Sequence, residues 1–347
     1  MRNHRLLGAC AFAFVAAAVC APQAALAACT STSFNIYTGY GSTGAAMTAA
    51  LVNPAGNVSG DVDASGCDIG VYYGPGKHGH VANANIHGAK YFGVVNDGGR
   101  VEVESSSVSD IGDLTSGTSR GYGIFFWGGS NVALGSVHHS VVWRYQKNGI
   151  VIAGDHAYAD VYSNSVLGEG QTMRIAQNGI EVIAGANASI YGNFVFGDAY
   201  TGSGGYGDQA AGILIYGGTC YTGVTVSLVT GVKVERNVVS DSDIGIALTN
   251  CTSPGVAVTT ATRNVADNNT LVNNAVTSVT APPYQAGIQA IGKSDTITDN
   301  DTCGPGYADN PPTTHAIDAS LDTNAMVKHN TVCKLGHDRV HDHDHDF

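Results

Sequence analysis

A short phrase recurs along this chain and constrains its fold more than any other feature. An apolar residue is followed three positions later by a small or polar one, and two positions after that by another apolar residue. It reads Val81/Ala84/Ile86, Val103/Ser106/Val108 and Val132/Gly135/Val137. From there the polar position becomes asparagine: Val161/Asn164/Val166, Ile190/Asn193/Val195 and Val234/Asn237/Val239. Val265/Asn268, Ile297/Asn300 and Val327/Asn330/Val332 continue it, with successive anchors 22, 29, 29, 29, 44, 31, 32 and 30 residues apart. A period of roughly 20–50 residues means stacked units, because no single unit of that size buries its own apolar face.

A second phrase stands between the anchors: a glycine opening a run with period two. Gly123-Ile124, Gly149-Ile150, Gly179-Ile180, Gly212-Ile213, Gly245-Ile246 and Gly287-Ile288 each read as a short strand with a turn glycine at its start. Stacked at about 4.8 Å, Ile124, Ile150, Ile180, Ile213, Ile246 and Ile288 would make a continuous core column. Asn164, Asn193, Asn237, Asn268, Asn300 and Asn330 would make another, each amide bonding to its equivalents in neighbouring coils. These asparagines are therefore structural. Gly is abundant at 46 residues and charge scarce at 13%, yet the hydrophobic share is an ordinary 44%. That mix excludes disorder and suits a chain that turns often around a long core.

Residues 1–27 read as an export signal: basic Arg2, His4 and Arg5, an apolar run from Leu6 to Ala21, and a small-residue cleavage site at Ala25-Leu26-Ala27. No stretch reaches about 20 apolar residues, so no transmembrane segment is expected. Of 16 basic residues two leave with the signal, so 14 face 28 acidic ones, a balance of −14. Nucleic acid is excluded as a partner, since its binding rests on Lys and Arg. Leu26-Ala27-Ala28-Cys29 also matches a lipoprotein signal, which would put a lipid anchor on Cys29. Against it, six cysteines remain after the signal, and an even number in an oxidising compartment favours three disulfides. The protein is expected to be secreted, periplasmic or on the cell surface.

The asparagine phrases and the Gly-Ile strand starts, over residues 58–335, resemble the right-handed parallel β-helix proteins of the pectin-lyase-like superfamily. The expected fold class is all-β, a single-stranded right-handed parallel β-helix of about ten coils, with handedness taken from the resemblance. The cysteine positions fit this register. Cys303 and Cys333 each fall three residues after a ladder asparagine, Cys220 and Cys251 follow Gly-Ile strands of adjacent coils, and Cys29 and Cys67 tie the start to the first coil. Residues 28–57 form an N-terminal cap. Met47 and Leu51, spaced i,i+4 among alanines and stopped by Pro54, predict a capping helix. Residues 336–347 form a His/Asp-rich tail, expected to be disordered.

The segments Ser106–Gly123, Gly135–Gly149, Asn164–Gly179, Asn193–Gly212 and Asn268–Gly287 are long and leave the solenoid at one turn, so they can wall a groove. The outward positions Phe125, Trp127, Val151, Ile183, Leu214 and Tyr216 are apolar, and such a stripe asks for a partner or a covering loop. Phe125, Trp127 and Tyr216 are candidates for stacking sugar rings, unless the loops fold back and bury them. Charges near this rim are Asp110, Asp113, Arg120, Arg144, Lys147, Glu169, Arg174, Asp198 and Asp208. The resemblance implies a polysaccharide lyase using Arg or Lys to take the proton beside a uronate carboxylate, with Ca²⁺ held by acidic residues. Lys147, Arg144, Arg174 and Glu169 are the catalytic candidates on that ground. A glycoside hydrolase would instead need two carboxylates about 5–9 Å apart. The superfamily's polygalacturonase and pectate-lyase phrases are absent, with Arg174-Ile175-Ala176 lacking the lysine of the former.

His138-His139 has no matching third ligand along the sequence, which speaks against a metal site there. In the tail, His337, His341, His343 and His345 alternate with aspartates and offer imidazoles suited to Zn²⁺, Ni²⁺ or Cu²⁺. The functional expectation is an exported protein that binds an extracellular polysaccharide and, in the stronger reading, cleaves it. The rival is a non-catalytic, adhesin-like or envelope rod.

Overall fold

The computed structural model describes residues 28–38, 41–42, 46–202, 210–221, 223–277, 284–310 and 314–333. Residues 1–27, Asp208 and the tail with His341, His343 and His345 lie outside the described residues. Each coil contributes up to three short strands, and like strands of successive coils pair in parallel. The first face runs from Thr48–Val52 through Ile69–Tyr73, Phe92–Asp97, Tyr122–Trp127, Asn148–Ala153, Asn178–Ile183, Ala211–Tyr221, Ile244–Ser253 and Gln285–Lys293 to Thr314–Thr323. The second face includes Arg100–Glu104, Ala133–His138, Ala157–Tyr162 and Asn187–Tyr191, and the third includes Ser107–Ile111, Val141–Tyr145, Ser165–Thr172 and Phe194–Tyr200.

The isoleucine column is in register throughout, Ile124 beside Ile150, Ile180, Ile213, Ile246, Ile288 and Ile317. The first six are fully buried. The glycine before each isoleucine is a point of close approach rather than a turn. A Cβ on Gly149 would lie 2.5 Å from Val166 Cγ1 and 2.6 Å from the Gly179 carbonyl oxygen. Only a bare Cα lets the first face pass that close to the third.

The bend between second and third faces carries the polar ladder. Ser140 N–H donates to Asn164 Oδ1, and the chain continues through Asn193, Asn237, Asn269 and Asn300 to Asn330 at 2.9–3.0 Å. The fourth asparagine of the ladder is Asn269, not Asn268. Asn268 sits one residue earlier at φ 53°, in a column of left-handed residues that includes Ser163, Arg236 and Asp299. Asparagine tolerates that conformation, so neighbouring asparagines there serve different ends. The phrase Val132/Gly135/Val137 is also out of register: Val137 pairs with Val103 and Val142 with Val108, so Ser140 is the ladder residue.

The expected capping helix is corrected. Thr48–Val52 is a strand, paired parallel with Ile69–Tyr73 and antiparallel with Thr30–Ser31. The i,i+4 spacing of Met47 and Leu51 is overridden by unpaired strand edge that the first coil offers, which local propensity cannot outweigh. The segment still caps the fold, laying Phe34 over the outer side of the first face, where its ring meets Phe92 at 5.5 Å and Phe125 at 6.1 Å.

All three expected disulfides are present: Cys29–Cys67, Cys220–Cys251 and Cys303–Cys333, with Cα separations of 5.4, 4.9 and 4.8 Å. The first corrects the lipid-anchor alternative, because a sulfur bonded to Cys67 has no valence left for a lipid thioether. No described helix is long and apolar enough to cross a membrane.

Candidate functional site

A groove of about 890 Å³ runs along the outer side of the first face. Its floor is the outward column Val151, Glu181, Leu214, Ala247, Gln289 and Asp318, one residue from each successive coil. One wall comes from the loops entering the first face, with Gly117, Ser119, Arg174, Ala176, Tyr200 and Tyr284. Glutamines at the strand starts clasp these loops. Gln146 donates to the Ser116 and Thr118 carbonyls, Gln177 accepts from Glu169 N–H, and Gln285 accepts from Thr277 N–H. The other wall comes from loops leaving the same face: antiparallel hairpins after Tyr216 and Thr249, cross-linked by Cys220–Cys251. This second wall lay hidden in the 44-residue spacing between Ile190 and Val234.

Glu181 is the centre of the groove's chemistry. It is the one charged residue of the strand Asn178–Ile183, and it is 5% exposed on the floor. Asn148 donates to its carboxylate, Asn178 donates to Asn148 Oδ1 at 3.2 Å, and Ala211 N–H donates to Asn178 Oδ1 at 3.1 Å. Both asparagines open Asn-Gly-Ile strands, so the ladder of backbones aims the carboxyl. Burial raises the Glu181 pKa to about 7, with Lys147 and the Asn148 bond pulling the other way. Burial also raises the phenols of Tyr122 and Tyr216, and Glu181's charge adds to both. A carboxyl poised near neutrality beside an ammonium can hold or release a proton at working pH.

Of the residues expected from sequence, Lys147, Arg174 and Tyr216 line the groove. Lys147 Nζ donates to the Ala176 carbonyl, and Arg174 is ion-paired with Glu169 outside the groove lining. Arg144 is not brought to them: it lies on the third face, paired with Asp110 at 2.6 Å beside the Trp143 ring. Phe125 is fully buried under Phe34 and offers no face to a sugar, while Trp127 stacks on it at 6.3 Å outside the groove. Tyr216 is 4% exposed, its hydroxyl accepting from Tyr221 N–H. The apolar stripe is therefore mostly covered, and the groove keeps only its later part. Glu181, Asn148 and Asn178 escaped the sequence reading, which sought charge in the long loops. A carboxylate between Val151 and Leu214 in the outward column was the available signal.

Ca²⁺ takes six to eight oxygen ligands. The groove's described carboxylates, Glu181 and Asp318, stand four strand steps apart, about 19 Å at ordinary spacing. These residues do not fit a Ca²⁺ cage.

Buried acids also occupy the interior. Tyr145 donates to Asp198 at 2.8 Å, and Asp243 accepts from Tyr200 N–H, Ala210 N–H and the Thr277 hydroxyl. Burial raises both pKa values, that of Asp243 to about 6, and raises those of the paired Asp295 and Asp322 elsewhere in the fold. Folded pKa values above unfolded ones mean stability that is complete below about pH 4 and lost as pH rises through the folded values. The denaturation midpoint is expected to fall between about pH 5 and about pH 8. A midpoint flat or rising over that window in urea titrations would contradict protonated interior acids.

A family profile described as "right handed beta helix region" matches residues 122–303. The chain belongs to the right-handed β-helix family. Among solved structures, this right-handed β-helix is similar to the Dettilon tailspike protein, with 15% identity over 79% of this chain and a TM-score of 0.42. It spans 60% of that tailspike's length. It is also similar to DFA-IIIase from Arthrobacter chlorophenolicus A6, without its lid and in complex with GF2. There the identity is 10%, the coverage 82% of this chain and 70% of that one, and the TM-score 0.42. No curated protein sequence matches it.

Proposed function

We propose that this β-helix is an exported protein that binds an acidic polysaccharide along the groove and cleaves it by β-elimination. The observation that carries the reading is Glu181: a buried carboxyl on the groove floor with its pKa raised to about 7, beside Lys147. Elimination needs one group to take the proton next to a uronate carboxylate and a cation to offset the charge that develops there. Glu181 supplies the first and Lys147 the second, with Arg174 at the wall. As the proton leaves the sugar, its electron pair forms a carbon–carbon double bond and the glycosidic oxygen departs, taking a proton.

Hydrolysis is less well supported. It needs two carboxylates about 5–9 Å apart, and Glu181 and Asp318 are about 19 Å apart. The proposed site keeps Lys147 among its working residues but gives the proton abstraction, which the resemblance assigned to Arg or Lys, to Glu181, a carboxylate other than Glu169. A test is incubation with pectate, alginate and glycosaminoglycans while ultraviolet absorbance is followed. Unsaturated ends on one of them support the proposal; new reducing ends without absorbance would favour a hydrolase, and binding without turnover would favour the adhesin-like rod.

One observation does favour an interaction role elsewhere on the molecule. Val141, Trp143, Phe194, Phe196 and Val238 are exposed together on neighbouring strands of the third face, away from the groove. A patch like that suits contact with another macromolecule.

A further inference from the structure

On the second face, three successive coils bring two histidines and two glutamates to one spot. Backbone register sets His80 beside Glu102 and Glu104 beside His138, with Glu102 and Glu104 two apart on one strand and so on the same side. The contacts run diagonally. His80 Nε2 lies 2.9 Å from Glu104 Oε1, while His138 Nε2 lies 3.0 Å from Glu102 Oε1 and 4.0 Å from Glu104 Oε2. One ligand atom from each of His80, Glu102 and Glu104 falls within 4.8 Å of the others. We propose that His80, Glu102, Glu104 and His138 form a divalent transition-metal site, with Zn²⁺ as the ion whose chemistry it fits.

The donor set argues for the ion. Zn²⁺ takes imidazole nitrogens and carboxylate oxygens at about 2.0–2.2 Å in a tetrahedron, which puts neighbouring ligand atoms about 3.4 Å apart. The three imidazole–carboxylate separations, 2.9–4.0 Å, straddle that value, and the donors of His80, Glu102 and Glu104 lie within 4.8 Å of one another. A mixed nitrogen and oxygen set disfavours Ca²⁺ and Mg²⁺, which prefer oxygen alone. Two carboxylates and a divalent ion also leave the site neutral.

The surroundings of His138 fit a ligand. Its side chain is 8% exposed, its ring stacks on Tyr162 at 4.7 Å, and Tyr162 stacks on Tyr191 at 4.9 Å. Its Nδ1 lies 3.0 Å from His139 Nδ1. When His138 donates from Nδ1, its Nε2 presents a lone pair towards the two carboxylates, an arrangement a cation resolves. A metal-bound histidine ordinarily donates its other ring N–H to a fixed acceptor, and here His139 Nδ1 takes that place. The sequence reading dismissed His138-His139 for want of a further ligand. The missing partners stand 34–58 residues earlier along the chain and only one or two coils away in space.

The tail histidines would bind the same ions, so the test begins with a parent carrying His337→Asn, His341→Asn, His343→Asn and His345→Asn. Calorimetric titration with Zn²⁺ is expected to show one equivalent bound. Glu104→Gln, which keeps shape and hydrogen bonding, is expected to weaken that binding at least tenfold, as is His80→Ala. Both should leave the metal-free melting temperature near the parent's. Co²⁺ is expected to give the visible absorption of a tetrahedral nitrogen/oxygen site in the parent and to lose it in the variants. No zinc uptake by the parent, or equal uptake by parent and the Glu104→Gln/His80→Ala double variant, would overturn the proposal.

Discussion

Glu181→Gln is expected to reduce polysaccharide turnover by a factor on the order of 10²–10⁴, the usual scale for losing a proton-transfer group. The substitution keeps the volume and a carbonyl oxygen for the Asn148 amide, so groove and binding should survive. It should also change stability with a pH signature of its own. The Glu181 pKa rises from 4.5 to about 7 on folding, because burial disfavours the charged form. The carboxyl's contribution is therefore intact below about pH 4.5 and lost as pH rises through about 7. Glutamine has no charge to desolvate. The variant should match the wild type below about pH 4 and exceed it by ~3 kcal/mol near pH 8. Activity retained in the variant would remove Glu181 from the mechanism, and parallel stability curves would mean that its carboxyl ionises as an exposed one does.

Asn237→Ala, in the middle of the ladder, should have a large structural effect. Its Nδ2 donates to the Ile190 carbonyl at 3.0 Å, to the Glu235 carbonyl at 3.2 Å and to Asn269 Oδ1 at 3.0 Å. Its Oδ1 accepts from Asn193 N–H at 3.0 Å and Asn193 Nδ2 at 2.9 Å. Truncation leaves several of these groups buried and unmatched, at about 1–3 kcal/mol each before relaxation. A destabilisation on the order of 3 kcal/mol or more follows, read as a drop in urea midpoint. Because coils couple to their neighbours, amide exchange should speed up at Asn193 and Asn237 before distant coils respond. A loss under about 0.5 kcal/mol would mean that water or backbone shifts satisfy the ladder, and that the repeat does not depend on it.

The inside of the solenoid was legible because burial there selects one kind of residue in every coil. Ile124 through Ile288 announce the strand, the face and the spacing together, and the cysteine pairs follow from the same register. Errors came where two solutions share one pattern. Asn268 and Asn269 both suit the bend, and only the left-handed turn separates them. Met47 and Leu51 have helical spacing, yet an open strand edge decides their conformation. The outside was harder, since outward positions vary freely and a functional residue there has no periodic partner. Glu181 stands in such a column, and His80, Glu102, Glu104 and His138 meet only once the true register replaces Val132/Gly135/Val137. Loop length located one wall of the groove; the other needed the hairpins after Tyr216 and Thr249.

The three disulfides sit at the first coil, midway and at the last described coil, each joining chain segments 30–38 residues apart. A rod of stacked coils ordinarily peels from its ends, where each coil has a neighbour on one side only. Here both ends are bolted to the next turn, so peeling must start from within, against neighbours above and below. The working lifetime of such a molecule is set by how fast that internal opening occurs, and oxidation state acts as its clock.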